Sequence, residues 1–250
     1  MTTYRMASKT ILSIFALLLQ INGINAFESP ADKSVYSQAI NHPERPAQDL
    51  LKDKTRMPEK ILPFTQIKPG DKVLELGAGA GHTTELLARL VGDNGRVYAQ
   101  ALSSSRIANN RLANVTALRR HLLYQLPEVL LENNVKEGSL DGAVIFFALH
   151  DFYLNPRMDQ QEILQVIHRY LKPGGALIIL DNAADADAGT SVNRQLHRIG
   201  ENFVVEELAK AGFKLDAKSD ALRNRNDDHT KPWRSFNGLH DRFAFRFIKQ

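Results

Sequence analysis

Two groups of residues in this 250-residue chain carry the types and spacing that chemistry needs. The first is VLELGAGAGHTTELL, in which Glu75 stands two places before Gly77, and Gly79 and Gly81 follow at alternate positions. Alternate glycines let a ligand approach the backbone with no Cβ in the way. The plainer reading is a connection that only packs a strand against a helix. The second group is His150-Asp151, directly after the apolar run LDGAVIFFAL. A histidine whose basicity a carboxylate raises can take a proton from an oxygen or nitrogen nucleophile. Neighbours at a strand end point to opposite faces, so the two need not act as a pair, and Asp151 could equally cap a turn. His197 and Arg198, in RQLHRIG, could hold an anionic acceptor, or Arg198 could pair with Glu201. The polar run NRNDDHTKPW, ending at Trp233, is either a lid over the site or a solvated connection. With no cysteine in the chain, disulfides, thiolate metal sites and cysteine nucleophiles are excluded.

The elements around these residues alternate between short apolar runs and helical segments. Strands are expected over 72–77, 96–100, VTALRR, 140–149, 176–181, KLDAKSD and 242–249. Between them fall a helix over 83–92, the mostly helical SSSRIANNRLANV and LPEVLLENN, and helices over 159–171 and 204–213. Continuous apolar strands separated by helices imply a doubly wound α/β domain, its sheet mostly parallel and covered on both faces. No long helix separates the last two strands, so the seventh is expected to run antiparallel.

At the N-terminus, MTTYRMASK is basic, TILSIFALLLQI apolar, and NGINA ends small, the three-part order of a secretory signal peptide. The expected division is a leader over 1–26 cut after Ala26, an arm over 27–56, and the main domain over 57–250. Such a leader sends the protein to the periplasm or outside the cell, with no stable membrane span after cleavage. The formal charge of +4 includes Arg5 and Lys9 of that leader; without them 30 basic residues face 28 acidic ones. Nothing in that balance calls for nucleic acid.

The glycine spacing separates the ligands. A dinucleotide loop wants a small residue three places after its second glycine, where this chain has His82, and no Gly-Lys-Ser/Thr follows for a phosphate loop. ELGAGAG instead resembles the first motif of the class I S-adenosylmethionine-dependent methyltransferases. IKPGDKV, LDGAVIFFALHD, LKPGGALIILD and EELAKAGF then follow in that family's order, from about Met57 to Lys249. LHD, LHRI, AGF and a closing DRF also resemble a bacterial subgroup with signal peptides.

The resemblance implies a Rossmann-like fold, S-adenosylmethionine as cofactor and a small-molecule acceptor. It implies cofactor contacts from Gly77, Gly79 and Gly81, with Glu75 anchoring the methionyl end. Gln100 stands where the family normally holds the ribose hydroxyls with an acid, so a charge-assisted pair is replaced by a neutral bond. The acid expected near the adenine is replaced by Arg119, Arg120 and His121. His150 and Asp151 are the candidate catalytic residues. One branch of the family binds a divalent cation at places comparable to Asp151, Asp181 and Asn182, whose oxygen ligands suit magnesium. Short polar residues also end strands, and no metal is assigned. Two rival readings are a binding module of the same fold without catalysis, which Gln100 favours, and a nicotinamide-dependent oxidoreductase, which His82 opposes.

Overall fold

The computed structural model describes residues 30–118 and 125–250. The expected leader and residues 119–121 lie outside them.

Three helices open the described chain, α1 (Pro30–Ile40), α2 (Ala47–Arg56) and α3 (Pro58–Thr65). Seven strands follow: β1 (Lys72–Leu76), β2 (Arg96–Gln100), β3 (Val115–Leu118), β4 (Leu140–Phe146), β5 (Leu171–Asn182), β6 (Phe213–Ser219) and β7 (Arg242–Lys249). They form one sheet in the order β3-β2-β1-β4-β5-β7-β6. The first five are parallel, and β7 inserts antiparallel between β5 and β6. The doubly wound, mostly parallel seven-stranded sheet with an antiparallel last strand is therefore observed.

Helices cover both faces because every central strand is apolar on both. On one face α4 (His82–Val91) packs with α1 and α3 against Val73, Val97, Val144 and Ile178. On the other, α5 (Leu126–Glu132), α7 (Gln160–Tyr170) and α8 (Glu201–Lys210) cover Leu74, Ile145, Leu177 and Phe245. The α7 boundary is set locally, since the Asp159 side chain caps the helix by accepting the Glu162 N–H at 3.0 Å. Among the described residues no helix is long and apolar enough to cross a membrane.

The helix expected over 204–213 runs Glu201–Lys210, and three further differences bear on the site. β4 stops at Phe146, not 149, because Phe147 turns into the left-handed region at φ 59° while its N–H still donates to Leu180 O. His150 and Asp151 consequently sit in a single helical turn, α6 (Leu149–Phe152). KPGG does not precede β5 but bulges within it: Leu140 aligns with Leu171, yet Gly142 aligns with Ala176. The stretch after β2 forms a 3₁₀ helix over Ser104–Asn110.

The candidate active site

The glycine loop joins β1 to α4 at the carboxyl ends of the central strands, where open α/β sheets take ligands. Its three glycines all have positive φ, but they face different surroundings. A Cβ on Gly77 would lie 2.4 Å from the Ala148 Cβ, and one on Gly81 would strike Leu102 and Arg106 within 2.9 Å. Those two glycines let protein segments meet. A Cβ on Gly79 would come no nearer than 3.9 Å to any atom, so its bare face opens outward. Among the described residues the Gly79 and Ala80 N–H groups have no protein acceptor, and both residues are exposed.

Glu75 and Gln100 brace this loop from beneath. Gln100 is buried; its side-chain oxygen accepts the Gly77 N–H at 3.1 Å, and its carbonyl accepts the Ala78 N–H at 2.9 Å. Glu75 is buried and accepts the Thr84 hydroxyl at 2.6 Å. Burial pushes its carboxyl up to about 7, opposed by Thr84 and by the charges of Arg56 and Arg106. A buried carboxyl with one hydroxyl partner retains accepting capacity for an ammonium group. The open face at Gly79, two free N–H donors and Glu75 therefore fit the methionyl end of a sulfonium cofactor.

The arm takes part in the site as well. Asp49 of α2, fully buried, pairs with Arg106 at 2.6 Å, and Arg106 also donates to Ala80 O of the loop. Asp53, one helical turn on, accepts both from Arg45 and from His82 at the start of α4. Burial and the Arg56 charge hold His82 down at about 4, so it is neutral there. The sequence reading missed this brace; its signal was two aspartates four apart, on one helix face.

A cavity of about 320 Å³, room for a one-ring molecule, lies between α2, the turn after β4 and the connection that carries Trp233. Phe147, His150, Asp151, His197 and Trp233 line it, with Lys52, Arg56, Arg234 and Arg242. His150 is 3% exposed and locked: its backbone N–H and Nδ1 both meet Asp181, at 2.9 and 2.7 Å. Its Nε2 lies 3.3 Å from Asp151 Oδ1, which is also 3.3 Å from Nδ1 of His197. The two histidine rings meet edge to face with centroids 5.6 Å apart. Although burial opposes it, the carboxylates of Asp181 and Asp151 raise His150 to about 10. His150 is thus an imidazolium between two carboxylates, and Asp151 is held below its usual range, first by the His150 bond. His150 and Asp151 do meet, contrary to the strand-end geometry, because a helical turn replaces the strand.

The oxygen-ligand set Asp151, Asp181 and Asn182 is not brought together. Asp181 is fully buried on His150, while Asn182 donates to His197 O and receives His240 Nε2 at 2.7 Å. A different set, His150, Asp151 and His197, offers ligand atoms within 4.8 Å of one another, compact enough for a cation in place of a proton. Arg198 does not reach Glu201, nor does it line the cavity. It is fully buried against Asp227 at 2.8 Å, pinning the connection that carries Trp233, while Glu201 pairs with Arg223.

Known proteins agree with this architecture. Residues 74–179 match the family model of a methyltransferase domain. The ubiquinone/menaquinone biosynthesis C-methyltransferase UbiE of Teredinibacter turnerae is 28% identical over 159 residues, covering 60% of this chain and 61% of that protein. A SAM-dependent methyltransferase from Aquifex aeolicus superposes with a TM-score of 0.55 at 21% identity, covering 82% of this chain and 99% of that one. An arsenic(III) S-adenosylmethionine methyltransferase from Chlamydomonas reinhardtii does so at 0.51 and 17%, covering 86% and 72%. The fold is that of the class I S-adenosylmethionine-dependent methyltransferases, the cofactor of which is S-adenosylmethionine. The match to the methyltransferase-domain model is confined to residues 74–179, and the chain spans less than two thirds of the curated relative's length.

Proposed function

We propose that the chain transfers a methyl group from S-adenosylmethionine to an oxygen or nitrogen of a small acceptor held in the 320 Å³ cavity. The observation that carries this reading is the relay Asp181–His150–Asp151–His197, which opens on that cavity. Asp181 fixes the His150 imidazolium, and His150 holds Asp151 as a carboxylate. Asp151 then accepts the His197 Nδ1 proton, leaving Nε2 to take the proton of the acceptor as the methyl group arrives. Gly79 and Ala80 supply N–H donors to the methionyl carboxylate, and Glu75 takes its ammonium. The bound cofactor supplies the electrophilic methyl group. Two inferences accompany this reading: residues 1–26 direct the protein to the periplasm or outside the cell, and His150 and Asp151 position His197.

The test is His197→Gln in the full chain, with cofactor binding and methyl transfer measured separately. The expected result is cofactor affinity within about twofold and a transfer rate lower by about 10²-fold or more, the usual weight of a general base. An unchanged rate would remove His197 from the reaction.

A further inference from the structure

The cavity's charge is lopsided. Of the residues lining it, Asp151 alone is acidic, and it is already engaged by His150 and His197. Against it stand Lys52, Arg56, Arg234 and Arg242. Lys52 has Asp49 at 3.8 Å, but no carboxylate lies within ion-pair distance of the three arginines among the described residues.

Arg242, at the head of β7, is the most confined: only 4% exposed, its side chain makes one hydrogen bond among the described residues, from Nη1 to Thr55 O at 2.8 Å. Its Nε is buried with no partner among the described residues. Nε and Nη2 form the side of the guanidinium that grips an oxyanion with two parallel bonds. Burial and the neighbouring Arg56 charge lower Arg242 to about 10, so it remains a cation at neutral pH. Arg56 lies over the Phe147 ring at 5.0 Å, and Arg234 over Trp233 at 5.3 Å, leaving both guanidinium edges without an acid. His240 does not add to the charge; burial and Arg242 hold it down at about 4. A desolvated cation lacking a counter-charge within ion-pair distance is costly. A site built this way has its missing anion in the ligand.

We propose that the acceptor is a small oxyanion, a carboxylate or phosphoryl compound gripped by Arg242 with Arg56 and Arg234 around it, its methyl-accepting group turned toward His197. This rests on the methyl-transfer reading of the same cavity and names its substrate class. Phe147 and Trp233 wall the space with aromatic rings, which suits a flat molecule. A neutral lipid-like acceptor would leave the arginines unpaired.

The experiment is calorimetric titration of the full chain with benzoate, benzamide and inorganic phosphate, each with and without saturating S-adenosylhomocysteine. Benzoate or phosphate is expected to bind about tenfold or more tighter than benzamide. The preferred anion distinguishes an aromatic carboxylate from a phosphoryl group. In Arg242→Gln the preference should vanish while S-adenosylhomocysteine affinity stays within about threefold. Because this change removes an unpaired buried charge, the variant should melt no lower than the parent. Arg234→Gln, at an exposed position, should weaken the same preference and serves if Arg242→Gln does not fold. Anions binding no better than benzamide would overturn the proposal. So would loss of S-adenosylhomocysteine binding in Arg242→Gln with benzoate binding intact, since that cation would then serve the cofactor's carboxylate. If the parent binds benzoate through Arg242 but no S-adenosylhomocysteine, the anion pocket stands and the methyl-transfer reading falls.

Discussion

Alanine at Gly77 and alanine at Gly79 should have opposite kinds of effect, although the two residues are two places apart. At Gly77 the backbone has φ 74°, and the new Cβ would lie 2.4 Å from the Ala148 Cβ. The left-handed conformation costs an L-residue ~1–2 kcal/mol. Overpacking against Ala148 adds ~1–3 kcal/mol, so Gly77→Ala should lose about 3 kcal/mol of folding stability. At Gly79, φ is 54° and no atom lies within 3.9 Å of the Cβ position, leaving only the conformational term of ~1–2 kcal/mol. The same open face is where the cofactor should lie, so Gly79→Ala should weaken S-adenosylmethionine binding by about tenfold, or ~1.4 kcal/mol. Urea unfolding and calorimetry measure the two quantities. Adding Ala148→Gly to Gly77→Ala isolates the clash: it should recover about half the loss, and leave the φ term. Equal stability losses at the two glycines, or no recovery in the double variant, would refute the packing argument. Undiminished cofactor affinity in Gly79→Ala would refute the open-face argument.

Other outcomes follow from the charged networks. His150 is raised from 6.5 to about 10, so its stabilising contribution is complete below pH 6.5 and is lost as pH rises toward 10. The melting temperature should therefore decline across that interval, and Asp181→Asn should flatten the decline. Asp49→Asn removes the closer of the two carboxylates beside buried Arg106 and leaves Glu85 at 3.5 Å, so it should cost ~1.5–3 kcal/mol in urea unfolding and loosen the loop that Arg106 holds at Ala80.

The strands, the mostly parallel sheet and the glycine loop were legible because the signals for them are written in local sequence. Apolar runs such as ALIILD must be buried, and alternate glycines break a strand in only a few ways. The antiparallel direction of β7 was legible too, from the lack of a crossover helix before it; its insertion between β5 and β6 was not. Partnerships formed by the connections were not. That Arg198 faces Asp227 rather than Glu201 depends on how the 220–241 connection folds back, which no periodicity encodes. The end of β4 was misread because Phe147 takes a left-handed turn that a bulky aromatic residue does not advertise. The relay from Asp181 to His197 spans four points on three segments, and only tertiary structure aligns them.

Helix α2 touches both halves of the site. Asp49 and Asp53 grip the glycine loop and the start of α4, while Lys52, Thr55 and Arg56 form a wall of the cavity. A shift in the loop on cofactor binding would tilt the same rod that shapes the acceptor's berth. Energetic linkage of this kind is reciprocal: whatever the first ligand gains in placing α2, the second inherits. In the proposed methyl transfer the acceptor's apparent affinity should rise with cofactor occupancy, and the cofactor's by the same factor with acceptor bound. Paired calorimetric titrations read both factors, and unequal ones would break the linkage.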